Sequence, residues 1–194
     1  MAPADLFASA DAAARPLRHM KFDSIAEIFS ANDDAHEELK RILADVAEDR
    51  AYKRIDGEAW NVAEVVEHIS IVDEGASKIC AKLLGKAEAA VAASVGVTVS
   101  DNFLKHYSTI NEVKLEAPDR VKPTGEQTVA QSLSRIDENR ARLRDLIPRF
   151  ELSDGGAKFP HPYFGDMTAV EWLILIGGHE RRHTEQIRRL LAKH

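Results

Sequence analysis

Four times along this chain a helix-capping sequence precedes apolar residues spaced three and four apart. That repetition leaves few folds open. Ser24-Ile25-Ala26-Glu27, Asn61-Val62-Ala63-Glu64, Thr124-Gly125-Glu126-Gln127 and Thr168-Ala169-Val170-Glu171 each place a small oxygen-bearing side chain three residues before a carboxylate or carboxamide. In such a capping box the two side chains satisfy N–H groups that a helix start leaves unpaired. The clearest stripe follows Asn61: Val62, Val65, Val66, Ile69, Val72, Ala76, Ile79, Cys80 and Leu83 predict a helix to about Gly85. Ile25, Ile28, Phe29, Leu39, Ile42, Leu43 and Val46 predict a first helix over about 24–48, with Asn32-Asp33-Asp34 as a point where it could bend or divide. Val129, Leu133, Ile136, Leu143 and Leu146 mark a third, ended by Pro148, and the fourth runs from Thr168 to about Ala192. Between the second and third, Lys86 to Val99 could continue as helix and Asp101 to Ile110 could form a short one; residues 149–167 read as a loop. No amphipathic helix covers its own stripe, so the expectation is an all-α, antiparallel four-helix bundle with a long crossover between helices 2 and 3.

Composition narrows the function classes. The 194 residues suit one domain, and the formal charge of −6 argues against a nucleic-acid backbone as the main partner. No apolar run reaches membrane-spanning length; the longest patch, Val170 to Ile176, is broken by Glu171. Cys80 is the only cysteine, which excludes an internal disulfide and a multi-cysteine zinc site and fits a reducing cytoplasm. Its place in the second stripe favours a buried small hydrophobe over a nucleophile. Residues 1–19 are Ala-rich, with Arg15 and Arg18 late in the stretch, unlike a secretory signal. They read as a flexible extension before a bundle domain over 20–194.

The chemistry-bearing residues are histidines. His179 and His183, four apart, leave one face of the last helix, on a row with Trp172, Ile176 and Leu190. His68 lies between Val65 and Val72 in the second stripe. Inward imidazoles are costly without partners, and a shared divalent transition metal, zinc or nickel above all, would satisfy one nitrogen of each ring. Glu64, Glu67 and Glu180 are candidates to accept from the remaining nitrogens, with a solvated carboxylate the favoured reading for Glu67. His161, before Pro162, either lines a pocket or packs its loop, and His106 is similar. His19, His36 and His194 read as terminal or surface residues, and Trp60 and Trp172 as packing residues. Arg181 could meet an anionic substrate or pair with a carboxylate; Arg182 reads as solvated. His179-Glu180-Arg181-Arg182-His183 formally matches the zincin string, but nothing else resembles a metalloprotease.

Trp60-Asn61-Val62-Ala63-Glu64-Val65-Val66-Glu67-His68-Ile69 resembles the second-helix signature of the DinB/YfiT-like superfamily. His161-Pro162-Tyr163-Phe164-Gly165-Asp166-Met167-Thr168 through Trp172, then His179, His183, Gln186 and Ile187, resembles its final segment. The resemblance implies an up-up-down-down bundle, frequent homodimers and a metal site from His68, His179 and His183. Its relatives include thiol-dependent S-transferases and isomerases. The expected function is therefore a metal-dependent enzyme acting on a small molecule, either a hydrolase or a transferase using a low-molecular-weight thiol. The alternative is a non-catalytic, metal-stabilised or stress-linked dimeric binding protein.

Overall fold

The computed structural model describes residues 21–85, 97–110, 113, 115–153 and 155–193. The N-terminal extension and the continuation from Lys86 toward Val97 lie outside them. Long helices α1 (Ile25–Leu43), α3 (Val62–Leu84), α5 (Val129–Arg144) and α7 (Ala169–Ala192) form a bundle. Shorter helices α2 (Glu48–Tyr52), α4 (Asp101–Thr109) and α6 (Ile147–Leu152), a 3-10 turn at Asp119–Val121 and a hairpin of β1 (Lys158–His161) and β2 (Gly165–Thr168) complete the chain. The hairpin is antiparallel, with Phe159 opposite Met167. Among the described residues no helix is long and apolar enough to cross a membrane.

Three of the four expected caps form where the sequence places them. Ser24 accepts from the Glu27 N–H, and Asn61 with Glu64 and Thr168 with Glu171 close both halves of their boxes. The third is displaced: the box of α5 is Thr128 with Gln131, because Thr124 is engaged elsewhere, by Glu67. The first helix ends at Leu43 rather than near 48, and the chain turns and restarts as α2 with Glu48 and Asp49 in its first turn. Asn32-Asp33-Asp34 does not divide α1: Asn32 is buried and donates to the Leu173 carbonyl, while Asp33 meets Arg140 and Arg144. Pro148 stands in the first turn of α6, where its missing N–H costs nothing, and the 149–167 loop contains the end of α6 and the hairpin.

Helix directions follow from the cross-contacts. Asn32 meets Leu173 and His36 meets Glu180, so α1 and α7 run parallel. Cys80 meets Ala169 and His68 meets His179, so α3 opposes α7. His36 reaches Asp137 while Asp33 reaches Arg140 and Arg144, so α5 opposes α1 and parallels α3. The four-helix bundle and its crossover stand, but the order is up-down-down-up, not up-up-down-down. One long connection, between α3 and α5, allows one parallel step in sequence; up-up-down-down needs two long connections.

Two apolar clusters fill the ends of the bundle. Ile28, Cys80, Phe103, Phe164 and Leu173 lie in one; Leu39, Val65, Ile69, Ile136 and Ile187 in the other. Between them runs a buried polar layer, and the histidines enter the bundle at its α3–α7 seam.

Candidate metal centre

His68, His179 and His183 converge because two local devices and one long-range one agree. The Asn61 box starts α3 and puts His68 in the stripe facing α7; the Thr168 box starts α7 and puts both its histidines on one face. Antiparallel packing of α3 on α7 then sets the three rings at the same level. Their centroids are 5.0 Å (His68–His179), 4.8 Å (His68–His183) and 4.4 Å (His179–His183) apart. Among the described residues this is the one group of His, Cys, Asp and Glu side chains whose candidate ligand atoms all lie within 4.8 Å of one another.

The protons on these rings are directed by their outer neighbours. His68 Nδ1–H donates to the Val121 carbonyl at 2.7 Å, which leaves the Nε2 lone pair facing inward. His183 Nδ1–H donates to Gln186 Oε1 at 2.7 Å, with the same consequence. His179 Nε2 lies 3.2 Å from His68 Nε2, and His179 Nδ1 is buried without a hydrogen-bond partner. Metal–nitrogen bonds of about 2.0–2.1 Å in a tetrahedral arrangement separate neighbouring nitrogens by roughly 3.3 Å, so the spacing fits a shared ion. Burial is the main reason that all three rings resist protonation: it lowers His68, holds His179 well below the ordinary range and takes His183 down to about 3. Neighbouring imidazoles and Arg182 push His179 and His183 further in the same direction. Neutral rings are what a metal requires.

The crossover is strapped over this centre by residues adjacent to the histidines. Glu67 is 1% exposed, against the solvated reading, and accepts from Thr124 N at 3.0 Å, Thr124 Oγ1 at 2.7 Å and Gly125 N at 2.8 Å. Gly125 has φ +78°, a region that favours glycine. Arg182 is likewise not free in solvent: its guanidinium donates to the Ile110 and Val113 carbonyls. Trp60 packs against His68 at 4.8 Å between centroids.

The other sequence candidates divide. His161 is half-buried in β1, against Trp172 and Phe164. Its Nδ1 accepts from the Tyr163 and Phe164 N–H groups, which leaves Nε2 as the protonated nitrogen. Burial, then Arg120, lowers it to about 4, and it is close enough to His179 to act on that ring's charge. Glu64 completes the Asn61 cap and pairs with Arg54. Glu180 leaves α7 toward α1 and α5, accepting from His36 Nδ1 at 2.6 Å and facing Arg140 at 3.5 Å. Arg181 donates to the Ala31 carbonyl on α1. His36, read as a surface residue, is 3% exposed and carries a second carboxylate, Asp137, at Nε2. Burial pushes the Cys80 thiol up, which agrees with a packing role.

Sequence reasoning missed Val121, Gln186 and the engagement of Glu67. Gln186 had a usable signal, a carboxamide three residues after His183 on the same face. Val121 had none, since it acts through its carbonyl.

The chain has both a sequence relative and a structural neighbour among known proteins. The chain is 23% identical over 162 residues to the uncharacterized protein YuaE of Bacillus subtilis (strain 168), covering 83% of this chain and 95% of that one. Its fold is similar to the crystal structure of TT2238, a four-helix bundle protein, with a TM-score of 0.53 and 16% identity, over 84% of this chain and 96% of that one. The sequence profile of the DinB superfamily matches residues 31–187, and the chain belongs to that superfamily.

Proposed function

We propose that His68, His179 and His183 hold one divalent transition metal, zinc or nickel, and that the protein is a metal-dependent enzyme acting on a small molecule by hydrolysis or by transfer of a low-molecular-weight thiol to an electrophile. The observation that carries this reading is the convergence of nitrogens. His68 and His183 each have Nδ1 committed to an oxygen acceptor, and His179 Nε2 meets His68 Nε2 at 3.2 Å. Held by these three neutral imidazoles, such an ion would supply Lewis acidity suited to activating a water or a thiol.

The protein's own groups orient and shield. Val121 and Gln186 fix two tautomers and hold two rings in place. The Glu67 carboxylate anchors the crossover that supplies the Val121 carbonyl. Trp60 covers one side of His68. His161 offers a neutral N–H donor beside the centre at neutral pH.

The test is elemental analysis of protein purified without an immobilised-metal column. About one equivalent of metal per chain is expected, falling to near zero in His183→Ala. Absence of stoichiometric metal in the wild type, with unchanged melting after chelation, would remove this reading. If metal is present, turnover of ester and amide panels against thiol-plus-electrophile panels separates the two reaction classes.

A further inference from the structure

Glu67 and His68 are neighbours on α3, and both reach the same short stretch of the crossover. His68 Nδ1–H donates to the Val121 carbonyl at 2.7 Å. Glu67 Oε1 accepts from Thr124 N at 3.0 Å and from Thr124 Oγ1 at 2.7 Å, and its Oε2 accepts from Gly125 N at 2.8 Å. A buried carboxylate is costly unless its oxygens are filled, and here crossover donors fill both. Only two residues, Lys122 and Pro123, separate Val121 from Thr124, and both are conformationally restricted. Pro123 locks its own φ and favours extended backbone at Lys122, which stands at φ −67° and ψ 141°. The 3-10 turn before them is closed by Val121 N–H to the Pro118 carbonyl at 3.0 Å and Lys122 N–H to the Asp119 carbonyl at 3.2 Å. A clamp on Thr124 and Gly125 therefore fixes where the Val121 carbonyl points.

This bears on a metal through the proton of His68. Coordination by Nε2 requires that proton on Nδ1, and the ring is buried, so the Nδ1–H needs an acceptor. Val121 is that acceptor. With its carbonyl displaced, a ring held through Nε2 keeps a buried N–H unpaired. A ring with no ion to hold has an alternative, since its proton can sit on Nε2, facing His179 Nε2 at 3.2 Å. Loss of the carbonyl thus penalises metal binding itself and not only the fold. Linkage makes the effect mutual: whatever the clamp adds to metal affinity, the metal adds to closure of the clamp. Glu171 offers the contrast. It is as buried as Glu67 and also holds three donors, Ser100 N at 2.8 Å, Ser100 Oγ at 2.5 Å and Thr168 N at 2.8 Å. It ties the start of α4 to the start of α7, roughly 12 Å along the helix from His179, and none of these bonds reaches a histidine.

We propose that Glu67 is a positioning residue of the three-histidine centre: through Thr124 and Gly125 it holds the Val121 carbonyl on His68, so that metal affinity and closure of this part of the crossover are coupled. This rests on the metal reading above and deepens it.

Two measurements on the full-length protein test it. In the first, zinc and nickel affinities are measured by competition with a chromophoric chelator for the wild type, Glu67→Gln and Glu171→Gln. Glu67→Gln is expected to bind about tenfold more weakly or worse, and Glu171→Gln to stay within about twofold of the wild type. The second needs no variant: amide hydrogen exchange of the wild type is followed with and without the tighter-bound of the two metals. Thr124 and Gly125 are expected to slow about tenfold more than Ser100, whose N–H is held by Glu171. Unchanged affinity in Glu67→Gln, an equal loss in both variants, or slowing that is uniform across the three amides would overturn the proposal while leaving metal binding intact. If Glu67→Gln does not fold, the exchange measurement decides alone. A wild type that takes up neither metal removes the metal reading, and this proposal with it.

Discussion

Gly177 and Gly178 stand inside α7, immediately before His179, where two glycines weaken a helix by roughly 1 kcal/mol each relative to alanine. The structure explains why alanine would not serve at Gly178. A Cβ there would lie 2.2 Å from the Tyr107 hydroxyl oxygen, 2.6 Å from its Cε2 and 2.7 Å from its Cζ. Comfortable carbon contacts begin near 3.5 Å, so the ring would have to retreat by roughly 1 Å. It has little room to do so: Tyr107 is 3% exposed and stacks on Phe103 at 5.2 Å, which stacks on Phe164 at 5.2 Å. Overpacking of this kind costs about 1–3 kcal/mol, against a helix-propensity gain of about 1 kcal/mol. Gly178→Ala should therefore lose up to about 2 kcal/mol, a fall of as much as a few degrees in Tm for a chain of this size. Urea titration of metal-free protein, followed by circular dichroism, measures it. Tyr107→Leu removes the obstructing ring atoms, and in that background Gly178→Ala should become neutral or mildly stabilising, so the two substitutions couple. A single Gly178→Ala that raises the midpoint, or a cost that persists unchanged beside Leu at 107, would refute the steric argument.

Three further outcomes are expected. Unfolded histidines take protons near 6.5, whereas folded His183 resists to about 3 and His161 to about 4. The unfolded chain then binds more protons across that window, so metal-free stability should fall as pH drops from about 6.5 toward 3; a melting temperature flat between pH 7 and 4.5 would contradict the neutral, buried rings. Glu180→Ala should cost about 3 kcal/mol in a denaturant titration, because it leaves His36 and Arg140 short of a buried acceptor; Asp137 and Asp33 soften the loss, and a change below about 1 kcal/mol would contradict the network. Glu67→Gln trades a carboxylate holding three donors for a group with one acceptor oxygen, so hydrogen exchange at Thr124 and Gly125 should accelerate at least about tenfold, and unchanged protection would rule out the strap.

The buried polar layer adds a constraint of its own. Asp73 is 1% exposed with neither carboxylate oxygen hydrogen-bonded, and burial, then the nearby Glu180 charge, raises its pKa well above the ordinary range. A cavity of about 290 Å³ opens beside this layer on the α1–α5 face, lined by His36, Asp137 and Arg140 among others, and apart from the histidine centre. Charge of this kind between two apolar clusters costs stability but gives the helices a defined register, since a shifted helix would strand Glu180 or Arg140 without its partner.

What the amino-acid order determined on its own is local. Capping boxes at Asn61 and Thr168 bond residues three apart, so they name helix starts from sequence alone. The four-residue step from His179 to His183, and the place of His68 between Val65 and Val72, likewise predict which faces the rings leave by. What only tertiary structure decided is which polar group meets which. Thr124 and Thr128 both look like caps; the choice fell to Thr128 because Glu67, 57 residues away, takes Thr124. Glu67 and His36 read as solvated until other helices and the crossover covered them, and Glu180 turned from the histidines because α1 and α5 present His36 and Arg140 on its side. Helix order was set by the one long connection and not by any motif. Short-range hydrogen bonds and periodicity are written into neighbouring residues, whereas the partner of a buried charge depends on packing among elements far apart in the chain.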